Sequence, residues 1–239
     1  MKEMIKSTND LYRMLDAQFR KPEDFWDPFY SEREKPVPFF ENKPDENLVS
    51  YVEQGIVEPG KALELGCGPG RNAIYLSSSG FEVHACDISE TALAWAKERA
   101  AERKASIRFE CKSIFELDVR PEYDLVYDSG CLHHLLPHQR IQYLELLNRA
   151  LKPGAYFGLT CFAPGYGDQG GPVHDMTDWE IYEARSTMGG LSFTREKLDY
   201  LLSDAFDNVE FRGMVEQKGT ETFGVSFLWT SLWRKKGFS

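Results

Sequence analysis

KALELGCGPGRNAIYL, running from Lys61 to Leu76, is the stretch whose reading decides the fold. Ala62, Leu63 and Leu65 read as a buried strand, Gly66, Gly68 and Gly70 as a tight turn, and the residues after Gly70 as a helix. A strand that enters a helix through such a turn brings free backbone N–H groups close to a ligand. Glu64 stands two residues before the first glycine, which gives the spacing Glu64-x-Gly66-x-Gly68-x-Gly70. The dinucleotide-binding pattern G-x-G-x-x-G puts its third glycine one residue later. A carboxylate at this turn repels a phosphate but attracts an ammonium or a sulfonium. The ligand expected here is therefore cationic and carries no pyrophosphate.

Moving outward, Phe81 to Asp87 reads as the next strand and ends in an acid. Glu64, the three glycines and Asp87 together resemble motif I and the following acid of the class I S-adenosylmethionine (SAM) methyltransferases, whose pattern is E/D-x-G-x-G-x-G after the first strand. The resemblance is close over residues 61 to 162 and implies a Rossmann-like α/β fold: a seven-stranded, mostly parallel sheet with an antiparallel last strand and helices on both faces. It implies SAM as cofactor, with the ribose hydroxyls on Asp87. The adenine is expected beside Cys111-Lys112-Ser113-Ile114-Phe115, where Ser113 replaces the aspartate common in the family and Ile114 packs on the ring. Cofactor contacts are thus expected from Glu64, Gly66, Cys67, Gly68, Gly70, Asn72, Asp87, Ile88, Ser113, Ile114, Asp128 and Ser129.

The tip of the fourth strand reads Asp128-Ser129-Gly130-Cys131-Leu132-His133-His134-Leu135 rather than N-P-P-Y, and so looks like the small-molecule branch. The runs GRNAIYL (Gly70 to Leu76) and FWDPFY (Phe25 to Tyr30) look like thiopurine and tellurite-resistance methyltransferases, which tilts the acceptor toward a thiol or another soft nucleophile. In-line methyl transfer requires an aligned nucleophile and exclusion of water, and an alcohol acceptor also needs a base. A thiol, with a pKa near 8.5, needs little such help. His133 and His134 are the candidate bases, one of them at most facing the substrate because adjacent side chains diverge. Either histidine has an alternative role as a structural cap. Metal binding by His134 and His138 is disfavoured because Pro137 breaks the helical spacing between them, and no metal is expected. His174 with Asp175 is a further pair of low specificity.

Composition limits the alternatives. The chain has 239 residues and a formal net charge of −10, with 38 acidic and 28 basic residues and no basic stripe, so nucleic acid is not an expected partner. Charges spread through the first twenty residues, and the absence of a long apolar run, argue against a signal peptide or membrane span, and the expected location is cytoplasmic. Five cysteines without a C-x-x-C pair argue against a disulfide framework or structural zinc. Cys67, Cys86, Cys111, Cys131 and Cys161 all fall near strand ends, where ligands bind in a parallel sheet; cysteine also serves simply as a small buried hydrophobe. Cys67 and Cys131 are expected to lean toward the thiolate.

Residues 1 to 239 read as one domain, with residues 1 to 60 and an insertion at 163 to 192 added to the core. Asn9 is a candidate cap for a first helix that stops before Pro22. Phe25, Trp26, Phe29, Tyr30, Phe39 and Phe40, interrupted by prolines, read as an ordered loop that packs on the core or closes over a ligand. Ser89 and Thr194 are expected to cap helices, and the last two strands are expected over Val209–Glu216 and Phe223–Trp233. A nicotinamide-dependent oxidoreductase and a SAM-binding protein without transferase activity are the competing functions. Oligomeric state is not readable.

Overall fold

In the computed structural model, residues 4–172, 175–219 and 221–237 are described. Helices α1 (Thr8–Asp16), α2 (Glu23–Ser31) and α3 (Glu46–Glu53) precede the first strand. Helix α1 is capped by Ser7, whose hydroxyl accepts the Asp10 N–H, rather than by Asn9. Helix α2 corrects the expectation that prolines would prevent a regular element here. Pro28 lies inside it and leaves the Asp24 carbonyl without its usual helical donor, but the Arg20 guanidinium donates to that carbonyl instead. Rings hold the helix in place: Phe29 lies 5.3 Å from Tyr30 and 5.3 Å from Phe40, centroid to centroid.

The core follows the expected alternation through β1 (Lys61–Leu65), α4 (Arg71–Ser78), β2 (Glu82–Asp87), α5 (Glu90–Glu102), β3 (Ile107–Cys111), β4 (Tyr123–Ser129), α6 (Gln139–Ala150) and β5 (Leu151–Phe162). The remaining elements are α7 (Asp178–Ala184), α8 (Arg195–Leu202), β6 (Phe206–Gly213) and β7 (Leu228–Lys235). The seven strands form one sheet in the order β3-β2-β1-β4-β5-β7-β6. Strands β1 to β5 pair in parallel, and β7 runs antiparallel to both of its neighbours. The chain leaves β1 toward β2 and β3, then returns to place β4 on the other side of β1. That reversal opens a crevice at the carboxyl ends of β1 and β4.

Side chains alternate across the sheet with the period of two. Leu63, Leu65, Val126 and Phe157 pack on one face with Tyr143 and Leu147 of α6 and Leu198 of α8. Ala62, Val83 and Leu125 pack on the other with Leu48 and Tyr51 of α3, Leu76 of α4 and Leu93 of α5. Ser89 and Thr194 cap α5 and α8 through their hydroxyls, as expected. The insertion contains α7, started by a capping box between Thr177 and Glu180 that the hydrophobic pattern did not reveal. The last two strands are displaced from their expected bounds. Phe223 is buried in a loop against Met214 and Leu228, so its apolar character comes from packing and not from a strand. No helix among the described residues is long and apolar enough to cross a membrane.

Candidate active site

At the end of β1 the chain turns sharply toward α4. Gly68 sits at φ +51°, and a Cβ there would lie 2.9 Å from the Tyr30 hydroxyl. Gly70 sits at φ +79°, and its missing Cβ lets α4 approach Ala96 of α5, where that atom would stand 3.0 Å away. The third glycine thus packs helices, and unlike Gly66 and Gly68 it does not line the cavity above the turn.

That cavity has a volume of about 760 Å³, within the usual range for a small-molecule site. Asp87, at the end of β2, accepts hydrogen bonds from the N–H groups of Gly68 (2.8 Å) and Ser89 (2.8 Å), which ties the turn to the head of α5. Burial pushes its pKa up to about 6 against those two bonds. Glu64 is 2% exposed, and its Oε2 has no hydrogen-bond partner among the described residues. Burial raises its pKa to about 8, with the charge of Arg71 acting in the opposite direction.

Cys67, Asn72, Ile88, Ser113, Ile114 and Ser129 also line the cavity. Ser113 caps the short 3-10 turn Ile114–Glu116, its hydroxyl accepting the Phe115 N–H. Asp128 does not reach the cavity, contrary to expectation. Its carboxylate turns back to accept from the N–H groups of Cys131 (2.7 Å) and Leu132 (3.0 Å) and from the Tyr143 hydroxyl (2.6 Å). It shapes the loop after β4 and leaves Ser129 to face the ligand space.

Sequence reasoning missed Arg71 and Asp45. Arg71, at the start of α4, is buried and donates to Asp45 Oδ1 (2.5 Å), the Lys43 carbonyl (3.1 Å) and Ser129 Oγ (2.9 Å). Its guanidinium also lies 4.3 Å from the Phe223 ring centroid. Asp45 is fully buried and receives further bonds from Asn72 Nδ2 (3.2 Å) and the Tyr127 hydroxyl (2.7 Å). Asn72 also accepts the Asp45 N–H through Oδ1 (2.8 Å), so both ends of its amide are engaged by Asp45. The available signal was an arginine directly after the glycine turn and an aspartate after Pro44.

The opposite wall is aromatic. Asp27 of α2 accepts from Ser89 Oγ (2.5 Å) and the Thr91 N–H (3.2 Å), docking α2 at the head of α5 beside the cavity. Trp26 then lies edge-on to His134, with centroids 4.9 Å apart. His133 is stacked 3.8 Å from Phe162. Both histidines line the cavity, and their Nε2 atoms are 3.1 Å apart, so the two rings do not diverge. The loop after β4 folds as a 3-10 turn, Leu132–His134, and the two imidazoles close on each other from its last two residues, with centroids 4.4 Å apart. His138 points elsewhere, between Tyr182 (2.8 Å) and Asp16 (2.8 Å). Among the described residues no cluster of His, Cys, Asp and Glu is arranged to hold a metal ion; His174 lies outside them.

Residues 62–154 match the family model described as a methyltransferase domain. Over those residues the chain resembles the class I SAM-dependent methyltransferases. An uncharacterized methyltransferase of Schizosaccharomyces pombe is 34% identical over 87 residues, covering 36% of this chain and 60% of that protein. A probable S-adenosyl-L-methionine-dependent methyltransferase, TehB, of Haemophilus influenzae is 26% identical over 153 residues, covering 59% of this chain and 53% of that protein. The chain therefore spans little more than half the length of these two curated relatives. The fold is shared with the 1,6-didemethyltoxoflavin-N1-methyltransferase of Burkholderia thailandensis, solved with bound 1,6-didemethyltoxoflavin and S-adenosylhomocysteine. That likeness has a TM-score of 0.66 and 20% identity, over 99% of this chain and 94% of the other.

The cysteines of this chain do not follow the expected thiolate chemistry. Burial, then the nearby Asp87 and Glu64 charges, raises the Cys67 thiol well above its ordinary pKa. Burial and Asp128 do the same to Cys131. Burial is the larger cause in both, and the carboxylate charges act in the same direction. Cys111 is the exposed member of the five. Maleimide is accordingly expected to label Cys111 first. Mass spectrometry of the labelled protein checks this; earlier labelling of Cys67 or Cys131 contradicts the burial account.

Proposed function

We propose that this chain transfers a methyl group from SAM to a small soft nucleophile, a thiol or another chalcogen anion. The observation that carries SAM as the methyl donor is the pair of buried acids, Glu64 and Asp87, beside the Gly68 turn in the cavity wall; the soft acceptor is supported by the sequence resemblance. The site fits the cofactor on its own chemistry. Glu64 Oε2 is an acceptor without a partner among the described residues, suited to an ammonium, and Gly68 beside it lines the cavity in a left-handed conformation that glycine favours. A nicotinamide dinucleotide would instead set its pyrophosphate against buried carboxyl groups, which disfavours that alternative.

When bound, SAM supplies an electrophilic methyl carbon on a sulfonium and leaves as a neutral thioether. The protein's own contribution is positioning and exclusion of water. Asp87 holds the Gly68 N–H and on this reading would take the ribose hydroxyls, and Glu64 would take the amino group. Arg71 locks the turn to β4 through Ser129. Trp26, Phe39, Phe162 and Phe227 wall the remaining volume with apolar surface, which keeps water from a reactive acceptor. Alignment of this kind accounts for several kcal/mol of barrier in bimolecular transfers, about 7–11 at the upper end.

The reading is tested by calorimetry with S-adenosylhomocysteine and NAD, followed by turnover on a panel of thiols, phenols and carboxylates. Micromolar affinity for the first ligand, none for NAD and turnover on thiols are the expected results. Turnover confined to phenols or carboxylates removes the soft-nucleophile assignment, and NAD binding removes the methyl-transfer reading. Asp87→Ala is expected to weaken S-adenosylhomocysteine binding by roughly ten- to a hundredfold through loss of charge-assisted hydrogen bonds. Unchanged affinity by the same calorimetry takes Asp87 out of the cofactor site.

A further inference from the structure

The two histidines at the acceptor end of the cavity are joined in a chain whose direction is fixed by the backbone. The Phe162 N–H donates to His133 Nδ1 at 3.2 Å. A backbone amide can only donate, so that nitrogen bears a lone pair and the His133 proton resides on Nε2. His133 Nε2 faces His134 Nε2 at 3.1 Å, and with the proton on the former, the latter must accept. The proton of neutral His134 is thereby assigned to Nδ1, which no other described residue engages. His134 lines the cavity beneath the edge of Trp26.

From this chain we infer that His134 presents a fixed N–H donor to the methyl acceptor, that neither His133 nor His134 acts as its base, and that the enzyme selects acceptors that ionise by themselves. His133 is the positioning residue that sets the tautomer. The inference rests on the methyl-transfer reading and names the substrate class for it: small thiols or related acids that reach the site as anions. The step balances without a protein proton acceptor. The acceptor first loses its proton to water; its sulfur lone pair then forms the bond to the methyl carbon. The methyl–sulfonium bond breaks, and its electron pair stays on the departing thioether. The N–H of His134 holds the sulfur anion in line and withdraws nothing from it.

The surroundings agree. Burial lowers the pKa of His134 to about 4, and burial and then the neighbouring ring lower His133 well below the ordinary value, so both stay neutral through the physiological range. Ionisable groups sharing the cavity wall with them are Cys131 on the same loop, Lys21, Glu23 and Tyr30 from the α2 segment, and Glu64, Arg71, Asp87 and Lys112 around the glycine turn, while β5 offers the Phe162 ring. None of these charges figures among the causes of either shift.

The test uses two substitutions and one spectrum. His134→Asn keeps an amide N–H near the place of Nδ1–H but cannot take up a proton; His134→Phe removes both. With thiophenol, 4-nitrothiophenol and 2-mercaptoethanol as acceptors, His134→Asn is expected to stay within about tenfold of the parent kcat, and His134→Phe to fall by about 10²-fold or more. The fall in kcat/KM at low pH is expected to follow the acceptor's own pKa from one thiol to the next. Nitrogen-15 spectra of the free protein should show His133 as the Nε2–H tautomer and His134 as the Nδ1–H tautomer, unchanged from pH 6 to 8. In His133→Gln, the His134 tautomer should become mixed. Equal loss in His134→Asn and His134→Phe, an enzyme pKa between 6 and 8 common to all acceptors, or titration of either ring in that range overturns the inference. Failure of the free protein to bind S-adenosylhomocysteine counts against methyl transfer itself, whereas the spectra judge the histidine chain independently.

Discussion

Replacing Arg71 by methionine is expected to destabilise the fold by about 3–5 kcal/mol, because it leaves Asp45 buried with an uncompensated charge. Asp45 has no exposed surface, and Arg71 is its only cationic partner among the described residues. The Asn72 amide and the Tyr127 hydroxyl remain as neutral donors, which softens the loss but does not replace a charge. Arg71 also carries structure outward. It bonds Lys43 and Ser129 and lies against Phe223, whose N–H and carbonyl pair with Pro44 and Glu46. Its removal should therefore loosen three walls of the cavity together. Urea unfolding measures the effect, and a fall in melting temperature of roughly 10 °C should accompany it. The double variant Arg71→Met/Asp45→Asn removes both charges and should regain part of the loss. A loss below about 1 kcal/mol in the single variant means that water reaches Asp45 and that the network is not a structural charge pair.

Why sequence reading found Glu64 and Asp87 but not this pair is a matter of distance along the chain. The glycine turn and its two acids are local: a strand, a turn and the next strand place them, and the spacing alone shows that a ligand approaches. Asp45 precedes the core and reaches Arg71 only after α3 has packed on the sheet, so nothing within one turn or one period announces it. Asp128 shows the reverse error. Its place at a strand end suggested the ligand, yet three donors from its own loop and α6 claim the carboxylate. The histidines show a third kind of limit. Adjacent residues leave the backbone in different directions, yet these two side chains bend back until their Nε2 atoms meet, and only the Phe162 amide reveals where their protons lie. The cysteines were positioned correctly along the strand edge, but burial among carboxylates, which position alone does not report, reversed their expected acidity. The seven-stranded, mostly parallel sheet with an antiparallel last strand followed from the resemblance, whereas the bounds of β6 and β7 did not, since Phe223 resembles a strand residue and is a loop anchor.

Affinity for S-adenosylhomocysteine is expected to rise by up to about a hundredfold between pH 6 and pH 8, and Glu64→Gln should remove that part of the dependence. In the free protein burial holds the Glu64 pKa at about 8, so the side chain is mostly protonated at neutral pH. A ligand ammonium at Oε2 favours the carboxylate, so binding near neutrality requires release of a proton. Affinity then climbs about tenfold per pH unit until the free protein has itself ionised. Stability of the free protein runs the other way. The folded pKa exceeds the unfolded one, so the unfolded chain binds fewer protons between the ordinary carboxylate range and about pH 8, and the free fold loses stability as pH rises across that window. Glu64→Gln should consequently melt higher than the parent at pH 8 while binding the ligand more weakly, the two effects having one cause. Calorimetry in two buffers of different ionisation enthalpy counts the proton released, and subtracting the Gln variant removes the ligand's own amine titration. If parent and variant show the same pH dependence, or the variant melts lower at pH 8, then Glu64 is ionised in the free protein and the unpartnered Oε2 has some role other than receiving a cation.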